Sequence, residues 1–486
     1  MSDRHLPALR LGSPYESLDT NTVVDHRDGR ELIKVSVVNA GVIRRDLSKF
    51  ATARETLRKI PTHRLLELCA KAGDLFMTAS LPLGSGSQSP EEYVRDLSAS
   101  SGLPQVMVRR NMGKVEYVFK NMATILRGLT RGLDLSVFDE GVGTQAGSPV
   151  SFYPLTHALG VVLPSNSPGV NSLWMPSIAL KIPVVLKPGR EEPWTPWRII
   201  QAFIAAGVPK EAFGFYPADH DGAAAILEGC PRALLFGDQS TTARWASNPG
   251  VQIHGPGYSK TLIGADRVER WREDLDVIVA SIADNGGRSC VNASAVITPK
   301  YGREIAQALA EKLGPIAPLK ADDPGARLSS FANPKMAEWI DESIEEGLRT
   351  PGGEDVTAKF RNGPRKVLFE GGTYLRPTII WCDSMSHPLA NREFLFPFAS
   401  VVEVPEGEML ERIGHSLVVT ALTDNPTFTD ALLTSPLIDR LNIGAVPTTQ
   451  VAWDQPHEGN LFEFLYRQRA ILVRKPGAAG VGASGA

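Results

Sequence analysis

Cysteine is scarce in this chain: of 486 residues only Cys69, Cys230, Cys290 and Cys382 are cysteines, and none stands in a Cys-x-x-Cys or Cys/His ligand spacing. That scarcity argues against a disulfide framework and a structural zinc site, so no metal is expected and a reducing compartment fits. Also missing is any apolar run near the roughly 18 residues that a membrane-spanning helix needs. Met1 to Ser17 mixes charges with Pro7 and Pro14 and has no apolar leader core, which points to a cytoplasmic protein. Neither sign of charge dominates: the net charge of -3 leaves no electrostatic footprint for nucleic acid or an anionic membrane. No G-x-G-x-x-G phosphate fingerprint stands between Leu159 and Gly264. What remains, 43% hydrophobic and 22% charged residues, is a globular composition long enough for two or three domains, with small molecules as the expected partners.

Patterning along the chain divides it. Thr22 to Val37 reads as a hairpin around Asp28-Gly29, a strong turn pair. Leu47 to Phe76 carries apolar residues at three- and four-residue spacing, with Pro61 opening its second half, and is predicted helical. Ser80 to Ser89 is predicted to be a loop, and a helical region opened by Pro90 runs to Leu129. Asp134 to Tyr153 reads as extended. Short apolar strands then alternate with helices at 160–163, 183–186, 213–216 and 233–236, the pattern of a parallel, doubly wound α/β sheet. Such sheets bind ligands beyond the carboxyl ends of their strands. The residues there are polar or conformationally special: Pro164 to Gly169, Lys187 to Glu191, and Gly237 to Ser240. A second set of strands and helices from Arg267 to Asn442 is interrupted by Cys290, by a Pro/Gly-rich surface segment near 351–364, and by Arg392 to Pro397.

Asp284-Asn285-Gly286-Gly287-Arg288-Ser289-Cys290 presents one cysteine behind small, bend-tolerant residues. Glycine lets backbone approach a ligand closely, and a thiolate adds readily to a carbonyl carbon. Cys290 is therefore a candidate nucleophile; the alternative is an inert buried thiol.

In their order, these segments resemble the aldehyde dehydrogenase superfamily over most of the chain. Pro164-Ser165-Asn166-Ser167-Pro168 is similar to that family's P-W-N-F-P, Leu186-Lys187-Pro188 to its V-K-P, Phe236 to Ser240 to its F-T-G-S, and Arg392 to Pro397 to its E-I-F-G-P. The resemblance implies a modified Rossmann domain for NAD or NADP (1–133 and 157–263) and an α/β catalytic domain (264–446). It also implies a small β oligomerisation arm with a C-terminal tail (134–156 and 447–486) in a homodimer or homotetramer. It makes Cys290 the nucleophile that forms a thioacyl-enzyme and Asn166 an oxyanion-hole donor. Ser165, Lys187, Gln239, Glu393 and Phe396 would contact the cofactor, Lys187 and Glu393 through its two riboses.

Three departures bear on mechanism. Where hydrolytic relatives carry a glutamate in E-L-G-G-K, this chain reads Ile253-His254-Gly255-Pro256-Gly257-Tyr258-Ser259-Lys260. The missing base tilts the reading toward an acylating, coenzyme A-linked or acyl-CoA-reducing enzyme. A hydrolytic enzyme using His254, whose neutral imidazole is a competent base, is the alternative, and a non-catalytic protein retaining the fold is a third reading. Arg190 stands near where NAD-preferring relatives often place a glutamate, and an arginine there could pair with a 2′-phosphate. The C-terminal region around Gln455 to Tyr466 does not match the family's substrate segment. There His457 and Glu458 are candidates for the acyl entrance against a solvated loop pair, Phe462, Phe464 and Tyr466 read as packing, and the Gly/Ala-rich tail from Pro476 reads as mobile.

Overall fold

A computed structural model describes residues 4–472; the tail from Pro476 lies outside them. Two seven-stranded sheets dominate. In the first, the strands run in the order Val251–His254, Arg232–Phe236, Leu159–Val162, Val184–Lys187, Phe213–Phe215, Ala8–Arg10 and Ser13–Tyr15. The first five are mutually parallel, and the two N-terminal strands add an antiparallel edge. Because both faces are covered, these strands read as unbroken apolar runs; Val184, Val185 and Leu186 are fully buried. Strand order reverses between Leu159–Val162 and Arg232–Phe236, which opens a crevice at their carboxyl ends. All four strands predicted from the sequence are present.

The second sheet has the order Gly353–Asp355, Thr378–Cys382, Phe398–Glu403, Ala295–Thr298, Lys260–Ile263, Ser416–Leu422 and Ile438–Ile443, parallel except for its first strand. The Gly255–Ser259 loop carries the chain from the carboxyl end of the first sheet to the amino end of the second. A third, three-stranded sheet joins Gly143–Gln145 and Ser148–Pro154 to Tyr466–Arg469 from the end of the described chain.

Local structure corrects several expectations. The predicted helical run from Leu47 to Phe76 holds two helices, Phe50–Arg58 and Thr62–Thr78, the second entered through Pro61, and a further helix, Ala40–Leu47, precedes it. The buried face of Thr62–Thr78 carries Cys69 beside Leu65, Leu68 and Phe76, so that thiol is core packing. The region from Pro90 to Leu129 breaks into three, Pro90–Ser101, Gln105–Lys120 and Met122–Leu129; Ser89 and Glu92 form a capping box at the first, and left-handed Gly102 ends it. The hairpin forms between Thr20–Val24 and Glu31–Ser36, but its turn is wider than two residues because Asp25 gathers Arg27 and Arg30. Ser80 to Ser89 contains a small hairpin, Leu81–Leu83 with Gly86–Gln88. The 351–364 segment contributes the edge strand Gly353–Asp355 and buries Val356 and Thr357, so it is more than surface.

Candidate active site

Cys290 lies between the helix Leu275–Ala283 and the strand Ala295–Thr298, at the amino end of the second sheet. Its approach is a run of left-handed residues: Asn285 at φ 53°, Gly286 at 67° and Gly287 at 68°. Asparagine tolerates this region and glycine pays no steric cost there. Gly287 needs its bare backbone for a second reason, since a β-carbon would sit 2.3 Å from the carbonyl carbon of Phe396. Asparagines then lock the turn. Asn292 Oδ1 accepts from Ser289 N at 2.9 Å while its Nδ2 donates to Ser281, Ile282 and Asp284 carbonyls. Asn111 Nδ2 donates to Asn285 Oδ1 at 2.8 Å, and Asn285 Nδ2 to Ser289 Oγ at 3.0 Å.

Asn166 comes to this turn from the carboxyl end of Leu159–Val162, and its Nδ2 donates 2.8 Å to the carbonyl of Arg288. The predicted nucleophile and the predicted oxyanion donor are thereby tethered across the two sheets. On the other side, Ser259 Oγ donates 2.8 Å to the Cys290 carbonyl. Glu393 behaves differently from a free ribose ligand: Oε1 accepts from Gly257 N at 3.2 Å and Oε2 from Tyr258 N at 2.5 Å. Burial pushes its carboxyl up to about 7. Nearby Lys260 is buried, donating to Tyr258 O and Ser416 Oγ, and burial lowers its ammonium to about 8. Phe396 packs its ring among Phe394 and Phe398.

The C-terminal segment supplies what the sequence left in doubt. His457 and Glu458 are no solvated pair; their side chains are only 11% and 12% exposed. One ligand-type atom from each of Cys290, His457 and Glu458 falls within 4.8 Å of the others. His457 Nε2 is 3.5 Å from Glu458 Oε2. His254 stands behind them at the end of its strand, stacked on Phe236 at 4.3 Å with its Nδ1 against the same carboxylate oxygen. Both ring nitrogens of His254, Nδ1 of His457 and Oε2 of Glu458 are buried without an aligned hydrogen-bond partner among protein atoms. The histidine in this cluster with the thiol is thus His457, while the His254 named from sequence contacts the far partner. Arg440 steadies the loop by donating to the carbonyls of Ala452 and Pro456.

Burial raises the Cys290 thiol well above its ordinary range, reinforced by the carboxylates of Glu458 and Glu393. Burial would also raise Glu458, but the facing His254 and His457 imidazoles outweigh it and hold that carboxyl down at about 2. Burial lowers His457 to about 4, against the pull of Glu458. A thiol that is hard to ionise therefore sits with an unprotonated imidazole and a carboxylate, the composition of a nucleophile–base–orienter set.

The cofactor candidates occupy the crevice of the first sheet. Gly189 approaches so closely that a β-carbon would lie 2.4 Å from Ser165 Oγ. Ser165 Oγ accepts from Glu191 N at 3.2 Å, and Lys187 Nζ, lowered by burial, bonds one carbonyl, that of Pro188. Arg190 is exposed and makes no ion pair among the described residues. Gln239 follows Asp238, which caps a four-residue helix, and lines a cavity of about 260 Å³ that reaches Tyr258 and Glu458. A smaller cavity, about 40 Å³, lies against His254 and His457 and is walled by Leu129, Leu173 and Trp453.

His457, Glu458, Asn111, Asn285 and Asn292 are the residues that sequence reasoning passed over or undervalued. Only the left-handed tolerance of asparagine before Gly286-Gly287 offered a signal.

The family model for the aldehyde dehydrogenase family matches residues 16–413. A Staphylococcus haemolyticus protein named for the same family is 25% identical over 290 residues, covering 56% of this chain and 58% of its own; the chain spans little more than half the length of the first curated relatives it matches. The 5-carboxymethyl-2-hydroxymuconate semialdehyde dehydrogenase of Escherichia coli is 25% identical over 396 residues, 76% of this chain and 77% of that one. Among solved structures, an NAD-dependent aldehyde dehydrogenase from Sinorhizobium meliloti superposes with a TM-score of 0.79 at 15% identity, covering 99% of this chain and 96% of that chain. With its model matched over most of its length, the chain belongs to the aldehyde dehydrogenase family.

Proposed function

We propose that the protein oxidises an aldehyde with NAD or NADP through a Cys290 thioacyl-enzyme, and that water is the acyl acceptor. The observation that carries this reading is the His457–Glu458 pair beside Cys290. The 253–260 segment lacks the usual base, and the closeness of His457 and Glu458 to Cys290 supports a base from the C-terminal loop in its place.

His457 takes the thiol proton as Sγ bonds to the aldehyde carbon, and the C=O pair moves onto oxygen. Asn166 Nδ2 and backbone N–H at Cys290 receive that oxyanion; one such donor is worth about 3 kcal/mol in a dry site. A nicotinamide dinucleotide would supply the hydride acceptor when bound, and the position of Ser165, Lys187, Gly189 and Gln239 around the first sheet's crevice supports their holding it. Once the hydride has left carbon, a thioester remains. His457, having released its proton to solvent, takes one from water; hydroxide adds to the thioester carbon, the C–S bond breaks, His457 returns its proton to the departing Cys290 sulfur, and the carboxylic acid leaves. Glu458 orients the imidazole throughout, with His254 against its Oε2.

Exposed Arg190, three residues beyond Lys187, supports a preference for the 2′-phosphate of NADP. Free thiols at Cys69, Cys230 and Cys382 support a reducing compartment, and the Gly143–Pro154 hairpin with Tyr466–Arg469 supports a homo-oligomer arm. No helix among the described residues is long and apolar enough to cross a membrane.

The test is a rapid-mixing time course of reduced-cofactor formation with a medium-chain aldehyde, with and without coenzyme A. Steady turnover in buffer alone is expected. A stoichiometric burst that turns over only with coenzyme A would overturn the hydrolytic reading and return the enzyme to the acylating class.

A further inference from the structure

Outside its chemistry with aldehydes, the cluster at Cys290 has a second property. A thiol, an imidazole and a carboxylate form a zinc-type donor set, and four-coordinate zinc binds such ligands at about 2.0–2.3 Å. Those bond lengths place ligand atoms about 3.3–3.7 Å apart along the edges of a tetrahedron. His457 Nε2 and Glu458 Oε2 already lie 3.5 Å apart. Cys290 completes a set whose members all fall within 4.8 Å, roughly 1 Å above that tetrahedral spacing.

Two further observations point to a ligand. His457 Nδ1 is a buried polar atom with no hydrogen-bond partner among protein atoms, an arrangement that costs free energy unless something else satisfies it. The carboxylate is also backed by His254, whose Nδ1 lies against Oε2, as outer partners back the ligands of metal sites. The sequence could not disclose this site, because its cysteine and histidine are far apart in the chain and share no ligand spacing.

We propose that Cys290, His457 and Glu458 bind one Zn²⁺ or a similarly thiophilic divalent cation, and that binding reversibly silences the nucleophile. The Zn–S bond forms as the thiol proton passes to solvent; no electron changes hands, and a water takes the fourth position. Thiolate and imidazole select zinc over the hard Mg²⁺, which prefers oxygen ligands. The site needs only these three side chains and does not depend on whether water or coenzyme A accepts the acyl group.

The experiment uses the full chain, reduced and stripped with a chelator, without aldehyde or cofactor. Zn²⁺ is titrated against a chromogenic chelator, and alkylation of Cys290 by iodoacetamide is followed by peptide mass. One Zn²⁺ per chain is expected, with Cys290 alkylation slowed at least tenfold, restored by EDTA, and unaffected by Mg²⁺. The near-isosteric Glu458→Gln and the Cys290→Ser variants should each weaken zinc binding at least tenfold. Zinc that binds both variants as tightly as the parent, or that leaves Cys290 alkylation unchanged, would overturn the proposal. The alkylation readout needs no variant, so a misfolded substitution cannot decide the matter.

Discussion

Gly257 passes so close to Cys290 that a β-carbon on it would stand 2.0 Å from the Cys290 carbonyl oxygen. Backbone rather than a flexible side chain is the obstacle, so the strain has no easy outlet. Gly257→Ala is expected to cost about 2–4 kcal/mol of stability and to displace the cysteine turn. Urea unfolding together with the rate of Cys290 alkylation measures both effects; a variant matching the parent in each would show that the loop yields freely.

The two histidines should separate in kinetics. His457→Ala is expected to slow the acylation burst by at least about 100-fold, the usual scale for removing a positioned base. His254→Ala, acting only through Glu458, should cost less than tenfold. Stopped-flow traces of the burst compare them directly, and the reverse ranking would make His254 the base after all.

Arg190→Ala should raise the dissociation constant for NADP about 10- to 100-fold while leaving that for NAD nearly unchanged, as loss of a charge-assisted phosphate contact requires. Fluorescence titration with the two cofactors decides it. An equal effect on both would remove the phosphate role.

Glu393 gives a pH dependence of known sign. Its folded-state carboxyl, at about 7, holds a proton more tightly than the unfolded chain does at its ordinary 4.5. Stability attributable to this group is therefore complete below about pH 4.5 and falls as pH rises toward 7, by up to about 3 kcal/mol at 1.4 kcal/mol per unit. Lys260, at about 8, titrates above that window. Melting temperatures of the parent and Glu393→Gln between pH 5 and 7.5 should diverge in slope, the variant being flatter; parallel profiles would place the titration elsewhere.

Much of this molecule can be read from its sequence, and the limits have physical causes. Strand runs such as Val184–Lys187 are legible because a doubly covered parallel strand must be apolar throughout. Cys290 and Asn166 could be named because their segments resemble a known family's, and the fold brings them to one turn, where Asn166 Nδ2 donates to the Arg288 carbonyl. The helix break at Asn121 is not legible, since the apolar spacing continues across it while tertiary packing redirects the axis. The His457–Glu458 pair was hidden for another reason: burial of a loop is decided by what folds over it. Nothing in Gln455 to Gly459 announces that Cys290 lies opposite.

The loop bearing His457 is held from both halves of the molecule: Arg440 of the second sheet donates to the Ala452 and Pro456 carbonyls just before it. Asn460 Nδ2 donates to the Leu129 carbonyl, Arg232 Nε to that of Phe464, and Tyr466 Oη to that of Leu180. Cys290 rides on the second sheet. The segment thus works as a rivet through the seam between the two sheets, and with ties on both sides its place opposite Cys290 does not depend on either sheet alone.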